Sequence, residues 1–84
     1  ARAVIRFYTT LGCHLCEDAW ALLAAWLAEH APGTEVAGIE ISDDPELVSR
    51  YGIRIPVVSV GEDELECPFG AAELDTFLSP RLRR

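Results

Sequence analysis

The chain has 84 residues, of which 50% are hydrophobic and 25% charged. That is the length of one domain, expected to span residues 1–84, with enough apolar content for a core and too little charge for disorder. Its 14 acidic residues outnumber 7 basic ones, all arginine, for a net charge of -7, which argues against nucleic acid as the main partner.

No apolar run approaches the roughly 20 residues a membrane span requires. Arg6 interrupts the first apolar stretch, so no signal-peptide core is read there. A cytoplasmic location and no membrane partner are therefore expected. Three of the arginines, Arg81, Arg83 and Arg84, crowd the last four positions and read as a solvated terminus.

In chain order, Ala3 to Tyr8 is rich in β-branched and aromatic residues and predicts a buried strand. Thr9 to Gly12 break that pattern. From Cys13 to Glu29 the period becomes helical, with Leu15, Ala19, Leu22, Leu23, Trp26 and Leu27 on one apolar face. Glu17 and Asp18 suit the helix start, His30 suits its end, and Pro32-Gly33 stop it. Glu35 to Ile41 predicts a second strand.

The run Ser42-Asp43-Asp44-Pro45-Glu46 predicts a helix start, with Asp43 and Glu46 at capping-box spacing. The helix runs from Pro45 to Tyr51, with Gly52 at its stop. Ile53 to Val60 predicts a third strand interrupted by Pro56. Gly61-Glu62-Asp63 turns into a short strand at Glu64 to Glu66. Ala71 to Leu78 predicts a last helix, with Leu74, Phe77 and Leu78 as its buried stripe and Ser79-Pro80 as its end. The order β-α-β-α-β-β-α implies a parallel first pair with a right-handed crossover.

Cys13-His14-Leu15-Cys16 form a C-x-x-C motif between a strand and a helix. Three cysteines are too few for a disulfide-stapled scaffold, so the close pair points to catalysis or metal binding. A thiolate attacks disulfides, and a helix start offers unpaired N–H groups and the positive end of the dipole. Helix-start C-x-x-C cysteines have pKa values from about 3.5 to 7, against about 8.5 for a free cysteine. Cys13 is thus the expected nucleophile, and Cys16, one turn inward, the thiol that resolves the mixed disulfide. A protonated His14 would favour the Cys13 thiolate, while Glu17 and Asp18 oppose it. A metal site using Cys13, Cys16, Cys67 and His14 is the alternative chemistry. Cys67, Trp20 and Trp26 read as packing residues, and Glu62-Asp63-Glu64-Glu66 as a solvated hairpin.

The stretches Phe7 to Cys16, Tyr51 to Val58 and Cys67-Pro68-Phe69-Gly70 resemble the thioredoxin superfamily, and within it the small glutaredoxin-like domains. The resemblance implies a thioredoxin fold, α/β, with a four-stranded mixed sheet flanked by helices. It implies a cis Pro56 beside the cysteine pair, with Ile55 offering backbone groups to an extended substrate; His14, which stands where ordinary glutaredoxins have Pro, is expected on the substrate side. The implied activity is thiol–disulfide exchange by a monomer on a disulfide-containing protein or small thiol. A non-catalytic protein-binding module and an iron–sulfur carrier are the other functions such a domain supports. Ordinary glutaredoxins carry Gly-Gly and an acidic residue before the last helix for glutathione, and Glu64 to Gly70 replace these. No bound cofactor is expected, with glutathione at most a co-substrate. Arg50 and Arg54 are the mid-chain candidates for holding its carboxylates.

Overall fold

A computed structural model describes residues 4–82. Ala3, Arg83 and Arg84, which figured in the sequence expectations, lie outside the described residues. The elements in chain order are β1 (Val4–Thr9), α1 (His14–His30), β2 (Glu35–Glu40), a short 3-10 turn (Ile41–Asp43), α2 (Pro45–Tyr51), β3 (Val57–Val60), β4 (Asp63–Glu66) and α3 (Ala71–Leu82).

The strands form one sheet in the order β2-β1-β3-β4. β1 pairs parallel with β2, Val4 opposite Glu35 and Thr9 opposite Glu40. β1 pairs antiparallel with β3, and β3 with β4. This is the mixed four-stranded sheet of a thioredoxin-like α/β fold.

Alternation along the strands divides the core in two. Ile5, Phe7 and Val58 turn to one face and pack with Ala19, Leu23, Trp26 and Leu27 of α1 and Leu74 and Leu78 of α3. Tyr8 and Val57 turn to the other and pack with Ile41 and Tyr51. Burying each of the larger aliphatic side chains is worth about 1.5–3 kcal/mol, so the α1/α3 face holds most of the apolar stabilisation. The Trp26 Nε1–H donates to Asp75 Oδ1 at 2.8 Å, tying α1 to α3.

Four local expectations are corrected. The third strand begins at Val57, because Arg54 N and Ile55 N both donate to the Tyr51 carbonyl, winding the chain into turns after α2. The cap of α2 is Asp44, whose Oδ1 accepts from Glu46 N at 2.9 Å, while Asp43 belongs to the preceding 3-10 turn. Helix α3 runs through Ser79 and Pro80 to Leu82; Arg81 Nη1 donates to the Phe77 carbonyl at 2.7 Å, engaging a carbonyl near the break in the ladder that Pro80 makes. Leu15 is 60% exposed and leaves the apolar face of α1. Gly52 ends α2 in right-handed backbone with φ -52; a Cβ there would come 2.5 Å from the Val48 carbonyl oxygen.

Candidate active site

β1 ends at Thr9, beside the edge strand β2, and the chain turns through Thr10, Leu11 and Gly12 before entering α1. Gly12 makes the turn with φ +81, where a side chain is strained. Cys13 N donates to the Thr10 carbonyl at 3.4 Å and closes it. Cys13 is the N-cap residue of α1, in extended backbone. Its Sγ accepts from Cys16 N at 3.1 Å, and its carbonyl accepts from Glu17 N at 3.1 Å. The sulfur thus occupies the place that a Ser, Thr or Asp oxygen takes at other helix starts.

Cys13 and Cys16 are joined as a disulfide with their Cα atoms 5.2 Å apart. Their environments differ. Cys13 is half-buried and faces outward, whereas Cys16 is 2% exposed and packed behind it. An incoming molecule meets Cys13 first. His14 has a 94% exposed side chain, and its Nδ1 stands 3.9 Å from Glu17 Oε1 on the same helix turn.

Two shallow grooves flank the first turns of α1. The first, about 230 Å³, is lined by both cysteines with Phe7, Leu11, Trp20, Glu17 and Glu40 among its walls. The second, about 210 Å³, brings Leu15 together with Pro56, Cys67 and Phe69. The Ile55–Pro56 and Cys67–Pro68 peptides are cis. Ile55 N donates to the Tyr51 carbonyl at 3.0 Å, and the Pro56 carbonyl accepts from Cys67 N at 3.1 Å. Cys67 is a free, half-buried thiol. Among the described residues no group of three His, Cys, Asp or Glu is gathered to hold a metal ion, so Cys13, Cys16, Cys67 and His14 do not converge as one ligand set.

Glu40 was invisible in the sequence, where it is one acid at the end of a strand. It lies opposite Thr9 across the β1–β2 pair and reaches over the turn that precedes Cys13. Its carboxylate accepts from Thr10 Oγ1 at 2.7 Å, from Leu11 N at 3.0 Å and from Ser42 N at 2.9 Å. Hydrogen bonds from Thr10 and Ser42 hold its pKa down to about 2. One carboxylate therefore ties the cysteine-bearing turn to the end of β2.

A second polar cluster secures the segment that carries Pro56. Tyr51 is 3% exposed, stacked on Tyr8 with ring centroids 4.1 Å apart. Its hydroxyl donates to Glu64 Oε2 at 2.6 Å. Arg54 donates to Glu64 at 2.6 Å and to Glu66 at 2.8 Å and lies over the Tyr51 ring. The hydrogen bonds from Tyr51 and Arg54 lower the Glu64 pKa; burial, then the bond to Glu64, raises that of Tyr51. The acidic hairpin is thus in part a set of partners for Arg54, and the guanidinium proposed for holding a carboxylate ligand is already engaged.

Among the described residues no helix is long and apolar enough to cross a membrane. No curated protein matches the sequence. Among solved structures, a structural-genomics target protein from X. campestris superposes with a TM-score of 0.77 at 34% identity, over 90% of this chain and 96% of that one. Residues 4–82 match the family described as Glutaredoxin-like domain (DUF836). With nearly the whole chain so matched, and a cysteine pair at C-x-x-C spacing at the start of its first helix, this protein belongs to the glutaredoxin-like domain family.

Proposed function

We propose that the protein is a thiol–disulfide oxidoreductase acting through Cys13 and Cys16. The observation that carries this reading is the asymmetry of the pair: Cys13 is reachable at the helix start, and Cys16 is buried one turn behind it, already bonded to it. In the reduced protein the Cys13 thiolate attacks a substrate disulfide. A Cys13–substrate bond forms, the substrate S–S bond breaks, and one substrate sulfur leaves as a thiolate that takes a proton from water. Cys16, deprotonated, then attacks Cys13 Sγ and expels the second substrate thiolate, which is protonated in turn. Two electrons pass from the protein dithiol to the substrate, and the reverse sequence oxidises a dithiol.

Ile55 and Pro56 serve as the wall along which an extended substrate lies, and His14 stands at its solvent edge. The protein needs no bound cofactor for this exchange; its partner is a disulfide-containing protein or a small thiol. With Arg54 held by Glu64 and Glu66, Arg50 is the mid-chain arginine left to meet a glutathione carboxylate. A reducing compartment such as the cytoplasm suits a pair that cycles.

The test is mixed-disulfide trapping. The Cys16→Ser protein is expected to accumulate a covalent adduct with a disulfide substrate, resolved by added dithiothreitol, and Cys13→Ser to form none. Equal turnover of hydroxyethyl disulfide by wild type and Cys13→Ser would overturn the mechanism.

A further inference from the structure

The groove that carries the disulfide combines two characters. Its apolar part is the Trp20 ring, 46% exposed and tilted against Phe7 at 5.6 Å, together with the exposed Leu11. Its charged part is Glu17, exposed on the first turn of α1, and Glu40. Glu40 Oε2 accepts from Thr10 and Ser42 and its Oε1 from Leu11 N, which fixes the carboxylate at the wall of the groove. The hydrogen bonds that depress its pKa keep it anionic throughout the neutral range. No arginine among the described residues lines the groove: Arg54 is bound to Glu64 and Glu66, and Arg81 to Asp63. His14 faces solvent beside Glu17.

We infer that this groove selects a polypeptide disulfide in which an arginine or lysine flanks the reacting cysteine. The long aliphatic stem of such a residue lies against Trp20 and Leu11 while its charged head meets Glu17 and Glu40, the arrangement amphipathic cations adopt over mixed surfaces. The net charge of -7 acts in the same direction at longer range, drawing basic chains and repelling anionic ones such as glutathione disulfide. The inference rests on the exchange activity proposed above, since the same two sulfurs do the chemistry.

The experiment follows oxidation of the reduced wild-type protein by three disulfides at low and high ionic strength. The probes are uncharged hydroxyethyl disulfide and two synthetic peptide disulfides that differ only in arginine or glutamate beside the cysteine. The arginine peptide is expected to react about tenfold faster than the glutamate peptide at low salt, with the ratio shrinking as salt screens the carboxylates. Glu17→Gln is expected to shrink the ratio as well. No reaction with any of the three disulfides would overturn the redox reading itself. Reaction with hydroxyethyl disulfide, but equal peptide rates or a faster glutamate peptide, would leave that reading standing and overturn the charge selection alone.

Discussion

Replacing Glu64 by alanine tests whether the Tyr51–Glu64–Arg54 cluster secures the segment that carries Pro56. The substitution removes the acceptor of the Tyr51 hydroxyl and one of the two carboxylates on Arg54. Tyr51 is 3% exposed, and an unsatisfied buried hydroxyl costs about 1–3 kcal/mol. The Arg54–Glu64 pair is half-buried and Arg54 keeps Glu66, so its loss adds about 0.5 kcal/mol. The expected sum, about 1.5–3.5 kcal/mol, corresponds to a fall in Tm of about 6–28 °C for a domain of this size.

Urea unfolding of the oxidised protein, fitted as two states, measures it. Tyr51→Phe alone should cost about 1 kcal/mol, and the double variant little more than Glu64→Ala, because both remove the same bond. The pH dependence has a definite sign: Glu64 has a lowered pKa when folded, so its contribution is present above the ordinary carboxylate pKa and fades as pH falls through the lowered value. A Glu64→Ala cost below about 0.5 kcal/mol, strictly additive with Tyr51→Phe, would refute the reasoning.

Three further outcomes are expected. In Glu40→Ala the Leu11 amide should exchange at least about tenfold faster relative to its intrinsic rate, because its acceptor is gone; in the wild type its protection should persist at pH 4 and fade as pH falls towards about 2, the pKa of Glu40, and unchanged exchange would deny the clamp. Leu23→Ala, at a fully buried position between α1 and the sheet, should lower unfolding free energy by about 2–5 kcal/mol in urea titration. Trp20 shares a groove with the disulfide while Trp26 is buried towards α3, so Trp20→Phe should abolish the change in tryptophan emission on reduction and Trp26→Phe should keep it.

The architecture could be read from the chain because its signals were local. The switch from β-branched residues to a helical period at Cys13, and Pro45 after an Asp, placed five elements within a residue or two. The cysteine pair was legible for the same reason: its spacing and its position at a strand–helix junction lie within ten residues. Glu40 and Glu64 were not legible. Each ties down elements 10 or more residues away, Glu40 the Thr10–Leu11 turn and Glu64 the Tyr51 and Arg54 side chains, and a single carboxylate has no periodicity that marks its target. The span 53–56 failed differently. Its Ile-Arg-Ile pattern has strand propensity, but the Tyr51 carbonyl captured the amides of Arg54 and Ile55, and the β ladder starts only after Pro56. The run past Pro80 was missed because a proline ordinarily ends a helix.

The register of β1 on β2 places Glu40 beside the turn that leads to the cysteines. Side chains alternate across a strand, so inserting one residue between 36 and 39 would reverse the side from which every later β2 side chain emerges. The carboxylate would then leave Thr10 and Leu11 although no residue of the redox turn had changed. A length change in this edge strand would therefore unfasten the turn that leads to the cysteines, and β2 should accept substitutions far more readily than insertions or deletions.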